Sequence, residues 1–242
     1  MTDRKVAIIT GANRGIGFET ARQLAKLGIK VILTARDEKK GKDACNILKK
    51  EGLDVIFHQL DVTDNKSVEN MYEYALKEFE KIDILINNAG ISIDTDNDII
   101  SVDIEKIRKT METNLYGPLL LSQKFIPLMR KNGYGRIINI SSTMGQMNSY
   151  ELRSPFPQGT RSSGYRISKT ALNMLTRILA HEVKGSNILV NSVCPGWLKT
   201  DMGGPDATRK VEEGVETIIW LATLPDNGPT GRFFENGNII RW

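Results

Sequence analysis

Short apolar runs and longer amphipathic stretches alternate along the whole chain. The first run, Val6 to Thr10, is rich in β-branched residues, which is typical of a strand buried on both faces, and a helical pattern follows it as far as Gly28. Similar apolar runs start near residues 30, 55, 82, 136, 188 and 231, and a helical pattern follows most of them. Because parallel strands need helices as crossover connections, the sequence predicts an α/β fold with a doubly wound parallel sheet of about seven strands and helices on both faces.

Glycine and polar residues collect at the carboxyl ends of the predicted strands, which is where open α/β sheets bind ligands. After the first strand come Gly11, Gly15 and Gly17, directly before a helical pattern. Glycines let a ligand approach the backbone without a Cβ in the way, and the free N–H groups at a helix start favour a diphosphate. An ordinary glycine-rich turn is the alternative. If the turn is functional, it predicts a diphosphate site of the kind that Rossmann-type folds contain.

Composition and charge exclude several other classes of protein. With 242 residues, 40% of them hydrophobic, and no repeat or linker, residues 1–242 are predicted to form a single domain. The net charge of +4, spread along the chain, gives no indication of nucleic-acid binding. The two cysteines and two histidines show no ligand-like spacing, so no metal site is expected. No apolar run approaches the roughly 20 residues that span a membrane, and the first residues do not resemble a signal peptide. We therefore expect a cytoplasmic protein without a membrane partner.

Tyr165 and Lys169 place a phenol and an ammonium group four residues apart, on one face of a predicted helix. A free tyrosine titrates near pH 10, so at neutral pH it is a poor base. A cation held beside the phenol favours the phenolate and is expected to lower its pKa. The spacing alone is common by chance, but this pair starts the helix that follows the fifth predicted strand, at the ligand-binding edge of the sheet.

These segments together resemble the short-chain dehydrogenase/reductase family. The similarity lies in the turn from Thr10 to Gly17, in Asn87-Asn88-Ala89-Gly90, in the Tyr165–Lys169 pair and in Pro195 to Thr200, and it extends over essentially the whole chain. It implies that the protein contains the catalytic residues Tyr165, Lys169, Ser142 and Asn114. In the family the tyrosine protonates the substrate oxygen, the serine polarises the carbonyl, the lysine also binds the nicotinamide ribose, and the asparagine holds a water beside the lysine. Ser141 is the alternative to Ser142.

The resemblance also implies a set of residues that bind the cofactor. They follow the first, second, third, fourth and sixth strands or belong to the catalytic pair: Gly11, Asn13, Arg14, Gly15, Ile16, Gly17, Arg36, Asp61, Val62, Asn88, Ala89, Gly90, Tyr165, Lys169, Pro195, Gly196, Leu198 and Thr200.

The end of the second predicted strand indicates which nicotinamide cofactor binds. Sites for NAD normally place an acid there, which accepts a hydrogen bond from the ribose 2′-hydroxyl. Here Thr34-Ala35-Arg36 carries no acid, and both Arg36 and Arg14 are placed to pair with a 2′-phosphate. A solvated surface charge is the alternative for Arg36 alone. Two arginines at converging positions predict NADP(H).

The interval between Ser142 and Tyr165 is longer than in most members of the family. It contains Pro155, Pro157 and Gly159, which favour a loop, so we expect an inserted flap at about residues 143–164. This insertion, the run from Cys194 to Met202 and the Arg-Trp ending resemble the carbonyl reductase branch. The branch implies a small apolar carbonyl substrate, and we expect Met144, Trp197 and Met202 to line its pocket. Packing of these three in the core is the alternative.

Longer insertions of this branch cover the surface through which other family members form tetramers. The shorter insertion here leaves monomer, dimer and tetramer open, with the monomer favoured. The resemblance implies NADPH-dependent reduction of a ketone, aldehyde or quinone carbonyl to the alcohol, with Tyr165 as the proton donor. The alternative is an NADP-dependent dehydrogenase of steroid, terpenoid or ketoacyl-type alcohols. A more distant alternative is a non-catalytic NADP(H)-sensing protein, which would not need Tyr165, Lys169, Ser142 and Asn114.

Overall fold

The computed structural model describes residues 4–95, 98–147 and 162–242. Within these ranges one sheet contains eight strands in the order β3-β2-β1-β4-β5-β6-β7-β8. The strands are β1 (Val6–Ile9), β2 (Lys30–Ala35), β3 (Val55–Gln59), β4 (Ile84–Asn87), β5 (Gly135–Ile140), β6 (Ile188–Cys194), β7 (Phe233–Glu235) and β8 (Asn238–Ile240). The chain order reverses between β1 and β4, which is the switch point where such sheets open a ligand crevice.

Strands β1 to β7 pair in parallel, which confirms the predicted fold. The strand count of about seven is one short, because β8 returns antiparallel to β7. Asn236 and Gly237 form the turn between them, and both have positive φ, of 49° and 75°. Asn-Gly is the dipeptide that two-residue hairpin turns prefer. The sequence therefore contained the signal for this strand.

Helices cover both faces of the sheet. They are α1 (Gly15–Lys26), α2 (Glu38–Lys50), α3 (Asn65–Phe79), α4 (Ile104–Met111), α5 (Gly117–Lys131), α6 (Ser163–Glu182) and α7 (Val211–Ala222). One buried cluster joins one face of the sheet to α1, α2 and α7 through residues such as Leu24, Leu48 and Ile218. The other joins the opposite face to α3, α5 and α6 through Met71, Phe125 and Leu172.

Three of the seven helices begin at a capping aspartate, and one ends at a glycine suited to that position. The carboxylates of Asp37, Asp64 and Asp103 accept backbone hydrogen bonds at the starts of α2, α3 and α4. Gly28, with φ of 81°, ends α1 as predicted. By contrast, α1, α5, α6 and α7 have no side-chain cap from their own N-cap residues. Of these, α1 follows the predicted glycine turn and α6 carries the predicted pair Tyr165 and Lys169.

Two connections at this edge differ from the sequence pattern or extend beyond the described residues. Helix α4 continues through a π-helix, Glu112–Tyr116, directly into α5. Of the predicted flap at 143–164, residues 148–161 lie outside the described residues. The beginning of that segment forms a short 3₁₀ helix, Thr143–Gly145, and its end already belongs to α6.

Candidate active site

The turn between β1 and α1 depends on its glycines. Gly11 and Gly15 have φ of 61° and 56°, a region that side chains disfavour. Gly17 has a different constraint, because a Cβ there would lie 2.5 Å from Nδ2 of Asn88 and 2.8 Å from Cα of Ala12. The turn therefore combines two positive-φ positions that suit glycine with a close approach at Gly17, and it ends at a helix start with no side-chain cap. Such a start offers free N–H groups, which fit a dinucleotide phosphate.

Hydrogen bonds fasten this turn to the segment after β4. Thr10 Oγ1 accepts from the backbone N–H groups of Asn88 and Ala89, each at 2.9 Å. The Asn88 amide donates to the carbonyl oxygens of Thr10 and Gly11, at 2.7 and 3.1 Å. Thr10 is not among the site residues predicted from the sequence, although it directly precedes the first glycine. The structure thus brings two predicted cofactor segments together at the switch point.

A third predicted segment, after β6, reaches the same turn. Thr200 lies opposite Gly15, since a Cβ on that glycine would stand 3.4 Å from the Thr200 methyl group. Pro195 and Gly196 follow the end of β6, and Gly196 has φ of 86°. Leu198 is different, because its buried side chain packs against α7 at Gly214. Only the backbone of Leu198 remains to face a cofactor.

The two arginines predicted to hold a phosphate are both exposed. Arg36 follows β2, where its carbonyl accepts a hydrogen bond from Gln59. Arg14, within the glycine turn, forms an exposed ion pair with Asp201. Exposed pairs contribute little to stability, so a phosphate can compete for Arg14 at small cost. Sequence analysis did not single out Asp201.

Asp61 and Val62, after β3, form the adenine side of the predicted site. The Asp61 carboxylate accepts hydrogen bonds from the backbone N–H and the hydroxyl of Thr63, at 3.0 and 2.7 Å. Val62 is buried and packs against Gly117, where a Cβ would lie 2.9 Å from its side chain. Val62 therefore belongs to the core through its side chain, which leaves its backbone for a ligand.

The predicted reactive residues converge where β5 ends and α6 begins. Ser142, just after β5, is hydrogen-bonded to the phenol of Tyr165, and its Oγ also accepts from Met144 N at 3.1 Å. Lys169 is 4% exposed, and its Nζ lies 5.4 Å from the centre of the Tyr165 ring. The ammonium donates to the carbonyl of Ile140 at 2.7 Å. Ser141 points elsewhere and donates to Asn173 at 2.6 Å, so the geometry favours Ser142 over this alternative.

The pKa values differ from the expectation of a lowered tyrosine pKa. Burial raises the pKa of Tyr165 to about 12, although the hydrogen bond from Ser142 opposes the change. Burial also lowers the pKa of Lys169 to about 8. Desolvation disfavours the charged form of both groups and is the largest cause of both shifts. Tyr165 is therefore fully protonated at neutral pH, which is the state that a proton donor needs.

Asn114 lies in the π-helix, an element that occurs mostly at functional sites. Its Oδ1 accepts from Ile91 N at 2.9 Å, while its amide donates to Ile91 O and to Ser168 Oγ, at 2.9 and 3.0 Å. Both amide hydrogens are therefore in use. A Cβ on Gly90 would stand 3.4 Å from Asn114 Oδ1 and 3.6 Å from Lys169 Nζ, which places these two groups beside the same glycine. The role of Asn114 in holding a water stays a prediction.

The three predicted substrate residues lie on loops at the same edge. Met144 belongs to the 3₁₀ helix after β5 and is partly buried. Trp197 and Met202 are 54% and 55% exposed, which argues against the alternative that they pack in the core. The Trp197 indole donates to Gly203 O at 2.7 Å, which fixes the ring at the loop surface.

Within the residues that the structure describes, no group of three or more histidine, cysteine or acidic side chains is arranged to hold a metal ion. In the same ranges no helix is both long enough and apolar enough to cross a membrane.

Comparison with known proteins agrees with this geometry. A family model described as short chain dehydrogenase matches residues 5–210. The chain therefore belongs to the short-chain dehydrogenase family.

Several relatives match over nearly their full length. The chain is 37% identical to (+)-neomenthol dehydrogenase of Arabidopsis thaliana, with 97% of each chain covered. It is 34% identical to carbonyl reductase (NADPH) 1 of Mus musculus, with 100% of this chain and 99% of the relative covered. Among solved structures, NADPH-bound carbonyl reductase from chicken fatty liver matches with a TM-score of 0.87, 31% identity and 99% of each chain covered.

Proposed function

We propose that Tyr165 is the proton donor, Ser142 the carbonyl-polarising group and Lys169 the charge that supports Tyr165 in the reaction of this protein. The protein is an NADP(H)-dependent oxidoreductase that reduces carbonyl groups, as its carbonyl reductase relatives indicate. The observation that carries the residue assignment is the contact of Ser142 with the Tyr165 phenol above the buried ammonium of Lys169.

The chemistry of these side chains follows from their positions. Bound NADPH supplies the hydride that the carbonyl carbon accepts. Tyr165 donates its phenolic proton to the carbonyl oxygen, and the Ser142 hydroxyl donates a hydrogen bond to the same oxygen and polarises it. Lys169 stabilises the phenolate that remains on Tyr165. Because the pKa of Lys169 is lowered to about 8 and that of Tyr165 is raised, transfer of a proton from the ammonium to the Tyr165 phenolate is favourable.

The cofactor assignment to individual residues rests on the cleft at the switch point. The glycine turn and the uncapped start of α1 suit the diphosphate, with Asn88, Ala89 and Gly90 beside them. Arg36 and Arg14 pair with the 2′-phosphate, and Arg14 exchanges Asp201 for it. The remaining members of the predicted set, Asn13, Ile16, Asp61, Val62 and the backbone of Pro195 to Thr200, line the same edge.

The substrate is proposed to be a small apolar ketone, aldehyde or quinone. Support comes from Trp197 and Met202, which expose apolar side chains on the loop after β6, and from Met144 beside Ser142. A flexible thioether and a flat aromatic surface suit varied apolar shapes. A monomeric state, a cytoplasmic location and a single domain stay predictions from the sequence.

Purified protein should oxidise NADPH in the presence of menadione, isatin or a panel of apolar ketones. The measurement is the loss of NADPH absorbance, run in parallel with NADH. Turnover with NADPH and little with NADH is expected, because Arg14 and Arg36 can pair with the 2′-phosphate that only NADPH carries. Tight NADPH binding without turnover of any ketone would instead support the sensing alternative.

Replacing Arg36 with alanine should raise KM for NADPH by about tenfold and leave KM for NADH nearly unchanged, since only NADPH offers a phosphate to lose. Arg14→Ala should act in the same direction. Lys50→Ala is a matched control, because this exposed cation lies at the far end of α2. Equal changes in KM for NADPH and NADH in Arg36→Ala would show that Arg36 does not bind the 2′-phosphate.

A further inference from the structure

We infer that Asp94 is a positioning residue for Tyr165, which it serves by holding the first turn of α6. This inference rests on the proposed role of Tyr165. Asp94 lies in the connection between β4 and α4, four residues after Gly90 of the cofactor segment. It therefore links one wall of the cofactor cleft to the helix that carries the proton donor.

The start of α6 is not stabilised by its own N-cap residue. Ser162 occupies the N-cap position but makes no side-chain cap hydrogen bond, and its φ and ψ of 37° and 49° are left-handed. Left-handed backbone is disfavoured for a residue other than glycine and persists where surrounding contacts hold it. The first-turn N–H groups of a helix also need acceptors. An acceptor must therefore come from another part of the chain.

Asp94 supplies that acceptor. Its Oδ2 accepts from the backbone N–H of Gly164, the residue directly before Tyr165, at 2.6 Å. The negative charge also suits the positive end of the helix dipole. A second contact runs in parallel, since Ser92 Oγ donates to Ser162 Oγ at 3.5 Å. The same short segment thus holds both residues that lead into Tyr165.

The fit at this junction is close. Asp94 is 0% exposed, and a Cβ on Gly164 would stand 3.2 Å from Asp94 Oδ2 and 3.3 Å from Ile107 of α4. The other carboxylate oxygen, Oδ1, has no hydrogen-bond partner among the described residues. Burying a carboxylate with one unpaired oxygen costs free energy, and an apolar side chain could fill the same space without that cost. The geometry points instead to a group retained because it fixes where α6 begins.

Two substitutions of Asp94 separate the accepted hydrogen bond from mere packing. Asp94→Ala removes the acceptor and should lower kcat for NADPH-dependent menadione reduction between about tenfold and 100-fold, because a small displacement of Tyr165 is enough. KM for NADPH should change by less than about twofold, since the glycine turn is untouched. Asp94→Asn keeps an oxygen that can accept from Gly164 and should recover most of the lost kcat.

Asp103→Ala is the matched control. Asp103 lies on the same connection and caps α4 through Glu105 N at 3.0 Å, so its loss removes the cap of a helix that packs against α6 but leaves the hydrogen bond from Gly164 to Asp94 in place. Its kcat should stay within about twofold of the native value. Should Asp94→Ala not fold, Gly164→Ala takes its place, because the new Cβ presses on Asp94 Oδ2.

The inference is overturned if Asp94→Ala, or Gly164→Ala in its place, keeps native kcat, or if Asp94→Asn is as impaired as Asp94→Ala. It is also overturned if Asp103→Ala loses kcat to the same extent. Tyr165→Phe distinguishes a failure of the proposed function from a failure of the role of Asp94. If that variant keeps its activity, the proposed function fails, whereas an inactive Tyr165→Phe beside a fully active Asp94→Ala removes only the role of Asp94.

Discussion

Tyr165→Phe should reduce carbonyl turnover by about 100- to 10,000-fold while NADPH still binds, because the phenol is the proposed proton donor. Burial raises the pKa of Tyr165 to about 12, so the native phenol carries its proton throughout the neutral range. Phenylalanine keeps the ring and removes only the hydroxyl. The measurement is kcat for menadione together with NADPH affinity from the fluorescence of the bound cofactor.

The stability of this variant should change little. The lost hydrogen bond to Ser142 contributes about 1 kcal/mol to the free energy of unfolding. Tyr74→Phe is the matched control, because Tyr74 is also partly buried but packs against His58 of the edge strand β3, with ring centres 4.6 Å apart. More than one-tenth of native turnover in Tyr165→Phe would assign the proton donor elsewhere.

Much of the fold could be predicted because the strands and the helix starts both have clear signals in the sequence. Strand β1 is an unbroken apolar run, and β2 and β4 are nearly so. The helix starts at Asp37, Asp64 and Asp103 use residues that cap helices. Strand β8 was not predicted, because three residues with a mostly exposed pattern carry little periodicity. Its only sequence signal was the Asn236-Gly237 turn.

The candidate site could be predicted as a set of residues but not as a network. The sequence placed Ser142, Tyr165 and Lys169 at one edge of the sheet because parallel strands share that edge. It could not show that Asn114 uses its side chain on Ile91 and Ser168, since these contacts depend on a π-helix that interrupts an ordinary helical pattern. Long-range pairs such as Asp94 with Gly164 likewise have no local signal.

The expectation of a lowered pKa for Tyr165 was wrong, because the sequence spacing does not show how deeply the two groups are buried. Sequence spacing places Lys169 beside Tyr165, and a charge at that distance lowers a tyrosine pKa. Burial of both groups is a property of the folded chain, and it reverses the direction for Tyr165. The same burial acts on Lys169 and makes its charge costly to the fold.

Lys169→Met should abolish turnover and at the same time stabilise the cofactor-free protein at pH 7. Burial lowers the pKa of Lys169 from 10.5 to about 8, so the folded protein holds this proton more weakly than the unfolded chain does. Each pKa unit corresponds to about 1.4 kcal/mol, which makes the penalty on the order of 3 kcal/mol. Loss of the hydrogen bond to Ile140 offsets about 1 kcal/mol of the gain.

The pH dependence distinguishes this cause from better packing. Between pH 8 and 10.5 the unfolded chain binds more protons at Lys169 than the folded protein, so the stability of the native protein rises with pH in that window. The variant lacks this pH-dependent contribution, so its excess free energy of unfolding over the native protein should decrease from pH 8 upward. Urea unfolding from pH 7 to 10 measures the difference, with exposed Lys184→Met as the control. A pH-independent advantage would show that Lys169 is not desolvated in the folded protein, whereas a shrinking one shows that the fold gives up stability to keep a charge beside Tyr165.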